Sequence, residues 1–97
     1  MVSPDNASTR TAISRESVAE DVKRMIAEYS NVAIDTITEA TRPEEDLGWD
    51  SLDMVDAAME FEDHFEIDVP EDFSEDIQTV GRIIDRLHEL IVNAKDA

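Results

Sequence analysis

The chain has 97 residues, and its 25 Asp and Glu against 8 Lys and Arg give a formal net charge of −17. That length suits one small domain, and the absence of cysteine excludes disulfides, thiolate metal sites and a protein thiol nucleophile. A charge of this sign repels nucleic acid and anionic membrane and attracts basic protein surfaces.

Residues 1–14 are rich in Ser, Thr, Asn and Pro and show no apolar periodicity, which predicts a disordered tail. No apolar run there is long enough for a signal peptide. No segment approaches the roughly 20 apolar residues of a membrane span. A soluble, cytoplasmic monomer without membrane insertion is the expectation, with a folded domain over 15–93 and a frayed C-terminus over 94–97.

Ser17 and Glu20 have the spacing of a capping box. Val18, Val22, Met25, Ile26 and Tyr29 follow at helical spacing. Together they predict an amphipathic helix from near Ser17 to Ser30 or Asn31. Residues 31–50 form a long connection that mixes β-branched and polar residues. Val32, Ile34 and Ile37 are its candidate anchors to the core.

The second long helix is predicted over Ser51 to Phe65. Asp50 and Ser51 are both good N-caps. Pro70 disfavours helix at Val69, and "EDFSEDI" has room for one short helical piece. Thr79 then caps a last helix in which Val80, Ile83, Ile84, Leu87, Leu90 and Ile91 share one face. The result is an all-α, small four-helix bundle. It has three longer helices, one short one, and a long loop between the first two.

The second helix carries two apolar arcs when its residues are placed about 100° apart. Met54, Ala57, Ala58, Phe61 and Phe65 form the wider arc, which should face the core. Leu52, Val55 and Met59 form a narrower stripe among the carboxylates of Asp53, Asp56, Glu60, Glu62 and Asp63. The stripe reads as a transient docking surface, whose rim steers a basic partner. It also reads as the margin of a broad core arc. Around it, residues 44–76 hold fifteen acids and no Lys or Arg.

Ser51 is the one hydroxyl in this helix. A serine nucleophile needs a base within reach, and the two histidines are His64 and His88. His64 lies about 20 Å along the same helix. No G-x-S-x-G elbow is present, so a hydrolase is disfavoured. Asp46, Asp50, Asp53 and Asp56 lack the alternate spacing and the glycine of a calcium loop, so no dedicated metal site is expected.

The segment "DLGWDSLDMV" at residues 46–55 resembles the phosphopantetheine attachment motif of acyl carrier proteins. The likeness continues through "FEIDVPEDFSEDIQTVGRIIDRL" at residues 65–87 and covers roughly Ser17 to Ile91. The resemblance implies a carrier rather than an enzyme. Ser51 matches the serine that receives 4′-phosphopantetheine from coenzyme A, by the action of a phosphopantetheinyl transferase. Acyl groups would ride on the thiol of that arm as thioesters, which suits a chain without cysteine. Asp50 matches an acidic position that assists the transfer.

By the same resemblance, Leu52, Val55, Asp56, Met59, Glu62 and Asp63 match positions that meet basic patches of partner enzymes. Those partners are ketoacyl synthases, acyltransferases and other enzymes of fatty-acid, polyketide or lipid synthesis. Met54, Ala57, Ala58, Phe61, Phe65, Val69, Ile77 and Ile84 match residues that line or border an acyl-chain cavity. The small Ala57 and Ala58 predict that this cavity is roomier than usual or lies elsewhere.

Three features depart from the pattern and suggest a specialised carrier. Trp49 stands where a small or aliphatic residue is usual, and it either folds inward or stays exposed beside the arm. Pro43 and Glu44 replace apolar residues, and the N-terminal tail is longer. Two alternatives stay open: an unmodified acidic interaction module or nucleic-acid mimic, and a peptidyl or aminoacyl carrier.

Overall fold

The computed structural model describes residues 14–96. The expected tail over residues 1–13 lies outside the described residues, as does Ala97. Among the described residues, five helices and one 3₁₀ turn follow in order: α1 (Arg15–Ser30), the turn (Ile34–Thr36), α2 (Pro43–Leu47), α3 (Ser51–Phe65), α4 (Phe73–Asp76) and α5 (Val80–Asp96). No strand occurs among the described residues. The all-α bundle is therefore as expected, with one more short helix than the sequence reading placed.

Helix α1 starts earlier than expected. Ser14, not Ser17, is its N-cap, and its hydroxyl accepts the Ser17 N–H. The reason is tertiary. Arg15 in the added turn holds the Glu39 carboxylate at 2.8 and 2.9 Å and Asp85 of α5 at 2.6 Å. That grip holds the Glu39 carboxyl below its ordinary value. Asn31 ends α1 in the left-handed conformation (φ 59°), which Asn tolerates better than most residues.

Of the three candidate anchors in the long connection, only Ile37 is buried; Val32 and Ile34 are exposed. The left-handed cap at Asn31 carries the chain off the core before Val32, and one anchor suffices. The loop then does other work. The Glu39 and Thr41 carbonyls accept the Gly81 and Val80 N–H groups at 2.9 and 2.8 Å. These are donors in the first turn of α5 that a helix cannot satisfy internally. Gly81 permits the approach, since a Cβ there would meet the Glu39 carbonyl at 3.2 Å.

Helix α2 was missed by the sequence reading. Its signals are local: Pro43 at the first position, three acids in the first turn, and Gly48 past the end at φ 73°. The short length hides any periodicity. Pro43 is fully buried, so it closes the core where an aliphatic residue was expected.

The core joins Val18, Val22 and Ile26 of α1, Met54, Ala57 and Phe61 of α3, Phe73 of α4, and Val80, Ile83, Ile84, Leu87 and Ile91 of α5. Leu90 is half-buried at its edge. Thr79 caps α5 as expected, its hydroxyl accepting the Arg82 N–H. The helix itself runs through Asp96, past the boundary at 93.

Candidate functional site

The site is the junction between α2 and α3. Gly48 turns the chain out of α2, and the N–H of Trp49 returns to the Pro43 carbonyl at 3.0 Å. Asp50 then caps α3. Its carboxylate accepts the Asp53 N–H at 3.0 Å, and the Asp53 carboxylate accepts the Asp50 N–H at 2.9 Å. This reciprocal pair is a capping box. Ser51 is therefore not the cap. It is the first residue of α3, and it is exposed.

The position of Ser51 has electrostatic consequences. The first turn of a helix presents N–H groups and the positive end of the backbone dipole, which favour an anion. Asp50 and Asp53 oppose that preference, but both carboxylates are engaged with backbone N–H groups. Those bonds, and a hydrogen bond from Tyr29, hold the Asp53 carboxyl below its ordinary value. Among the described residues, the Ser51 hydroxyl makes no hydrogen bond to a histidine. His64 instead stands 3.4 Å from Asp21 of α1.

Trp49 folds inward and is 6 % exposed. Its indole N–H donates to the Ser30 hydroxyl at 2.9 Å. Its ring meets that of Tyr29 edge-on, with centroids 5.4 Å apart at 69°, a geometry favoured by the ring quadrupoles. The Tyr29 hydroxyl reaches Asp53 at 2.8 Å and Asp56 at 3.3 Å. The carboxylates raise the tyrosine's own proton affinity. Sequence reasoning placed Tyr29 only among the apolar residues of α1. Its partners are 24 and 27 residues away, and nothing local announces them.

The stripe of α3 stands out in solvent. Leu52, Val55 and Met59 are 72 %, 50 % and 57 % exposed. Asp56 and Asp63 are exposed beside them, and Glu62 is half-buried. One Glu62 oxygen accepts the Val69 N–H at 2.9 Å, so this carboxylate also braces the turn after α3. The core-margin reading does not fit side chains this open.

The predicted cavity residues divide. Met54, Ala57, Phe61, Ile77 and Ile84 are buried, and Ala58, Phe65 and Val69 are partly buried against them. The room expected beside Ala57 is taken. Trp49, Tyr29, Met25, Ile26 and Phe61 surround a recess of only about 10 Å³ there. A wider depression lies beside Met54, though it is not the most voluminous on the molecule. Met54 and Ile77 border this surface depression of about 310 Å³, whose other walls are polar: Arg42, Glu44, Glu45, Ser74, Glu75 and Gln78. Met54 is one helical turn from Ser51.

Among the described residues no group of three or more His, Asp or Glu is arranged to hold a metal ion. No helix there is long and apolar enough to cross a membrane.

The family model described as the phosphopantetheine attachment site matches residues 20–87. Among curated proteins, the chain is 45 % identical over 65 residues to the acyl carrier protein of Sulfurovum sp. (strain NBC37-1). That stretch covers 67 % of this chain and 87 % of the relative.

Proposed function

The chain belongs to the acyl carrier protein family, whose members carry a phosphopantetheine attachment site, and from that premise we propose that Ser51 is the residue that receives the arm. The observation that carries this reading is the placement of Ser51. It is an exposed hydroxyl on the first residue of α3, beyond a cap supplied by Asp50. A phosphate on that oxygen meets the positive end of a 15-residue helix.

The chain is a carrier, not a catalyst, so it needs no internal base. In the loading step the Ser51 oxygen bonds to the phosphorus of coenzyme A that bears the pantetheine. The bond from that phosphorus to the nucleotide half breaks. The serine proton leaves to a base on the transferase. Asp50 stands next to the reacting oxygen and is suited to assist, with Mg²⁺ offsetting the local negative charge. When attached, the arm supplies a thiol that holds acyl groups as thioesters.

The residues of this chain then have separate tasks. Leu52, Val55 and Met59 provide apolar contact to partner enzymes. Asp56, Glu62 and Asp63 provide the acidic rim that steers basic patches and fixes register. Met54 and Ile77 are the apolar residues of the depression beside this helix start, and an acyl chain turning in against them would pass the carboxylates of Glu44, Glu45 and Glu75. The partners are a phosphopantetheinyl transferase and acyl-processing enzymes of fatty-acid, polyketide or lipid synthesis.

The test is direct. The protein is incubated with coenzyme A, Mg²⁺ and a broad-specificity phosphopantetheinyl transferase, and its intact mass is measured. One phosphopantetheine is expected on the wild type and none on Ser51→Ala. An unmodified wild type would favour the acidic interaction module instead. Addition to Ser51→Ala would move the site to another residue.

A further inference from the structure

We propose that Tyr29 is a positioning residue for the loading of Ser51, acting through Asp53. This rests on the reading of Ser51 as the attachment point.

The Asp53 carboxylate is gripped at both oxygens. One accepts the Asp50 N–H at 2.9 Å, and the other accepts the Tyr29 hydroxyl at 2.8 Å. Asp50 in turn accepts the Asp53 N–H at 3.0 Å. Ser51 and Leu52 are the two residues enclosed between these partners. A capping box made by two surface aspartates is a local device, and helix ends fray. This one is tied to α1 by a bond across 24 residues of chain.

The phenol is itself well held. Its ring packs edge-on against Trp49, and Trp49 is fixed by its bond to Ser30. The hydroxyl has a single proton to donate. Of its two acceptors, Asp53 is the nearer, at 2.8 Å against 3.3 Å for Asp56. The proton therefore belongs chiefly to Asp53. A phenylalanine would supply the same ring to Trp49. What the hydroxyl adds is control over a carboxylate two residues from Ser51. The bond keeps Asp53 turned to α1 and draws part of its charge away from the place where an anionic phosphate arrives.

Positioning and docking make different kinetic predictions. Loss of positioning is felt when the Ser51 oxygen bonds to phosphorus, and so lowers kcat. Loss of docking raises the KM for the carrier. Tyr29→Phe and Tyr29→Gln are purified beside the wild type. Each is loaded by a purified phosphopantetheinyl transferase with coenzyme A and Mg²⁺. Initial rates are read by intact mass, with Trp49 emission and thermal melting as controls on packing. Tyr29→Phe is expected to lower kcat about fivefold to tenfold, with KM within about twofold and Trp49 emission close to wild type. Tyr29→Gln, whose shorter side chain cannot reach the position of the phenol oxygen and which also removes the ring from Trp49, is expected to lower kcat at least as far as Tyr29→Phe and to change Trp49 emission.

A kcat within about twofold of wild type for Tyr29→Phe overturns the inference. A rise in KM with kcat unchanged also overturns it and assigns Tyr29 to docking through Asp56. A wild type that gains no mass overturns the attachment reading and this inference together. A wild type and a Tyr29→Phe variant that load equally well overturn this inference alone.

Discussion

The indole N–H of Trp49 bonds to the hydroxyl of Ser30, joining the entry to α3 to the end of α1. The two residues are 19 apart in sequence, and the bond satisfies the one polar atom of an otherwise buried ring. Trp49→Ala is expected to destabilise the fold by about 3–5 kcal/mol, as large-to-small core changes do. Total stability for such domains is about 5–15 kcal/mol, so the variant should be close to unfolding. Trp49→Phe keeps most of the packing and loses the hydrogen bond, at about 1 kcal/mol. Urea titration followed by circular dichroism reads both. Equal losses in the two variants would mean that the indole N–H, not the ring volume, carries the contribution.

The apolar residues of α3 provide a second, internal comparison. Leu52 and Met59 are open to solvent, whereas Phe61 is 1 % exposed. Leu52→Ala and Met59→Ala should change stability by no more than about 0.5 kcal/mol while raising the KM of the loading transferase. Phe61→Ala should cost about 3–5 kcal/mol. A strong drop in melting temperature for Leu52→Ala would show that the stripe is structural and would undercut its assignment to docking.

These contrasts show what the sequence could and could not reveal. The two arcs of α3 were legible because helical periodicity is local, and the exposed stripe is the one the wheel separates. Ser51 stood out as the proposed attachment point because its flanking residues form a recognisable run. The fate of Trp49 was not legible, because Gly48 permits either direction and the choice depends on Ser30 and Tyr29. The same limit applied to α1. The pattern from Ser17 to Glu20 satisfies a capping rule, yet Arg15 extends the helix by reaching Glu39 and Asp85 on other segments. Helix α2 had its proline, acids and glycine in plain view, but five residues are too few for a period.

Arg15 joins α1, the loop and α5 through Glu39 and Asp85. All three side chains are more than a third exposed, so screening discounts the attraction. Arg15→Ala is expected to cost about 1 kcal/mol. The difference from wild type should shrink as salt is added. The whole protein should respond to salt in the opposite sense. Self-repulsion at −17 outweighs these few pairs, so NaCl or Mg²⁺ should raise the melting temperature. A melting temperature indifferent to both would mean that the acids of residues 44–76 do not strain the fold.

The capping box gives the site a defined response to acid. Asp53 has a folded-state pKa below its ordinary 3.8, chiefly because the Asp50 N–H bonds to its carboxylate and secondly because Tyr29 does. The unfolded chain therefore binds the proton first as pH falls. The stabilisation is fully present above the ordinary value and is lost as pH drops through the lower, folded-state value. Other carboxylates titrate in the same range, so the comparison must cancel them. Melting temperatures of wild type and Asp53→Ala are measured from pH 7 downward. The gap between them should hold steady to about pH 5 and close progressively below the ordinary value. A gap that widens on acidification would mean that the Asp53 charge opposes folding, and that its bonds to Asp50 and Tyr29 do not offset the crowding of acids around Ser51.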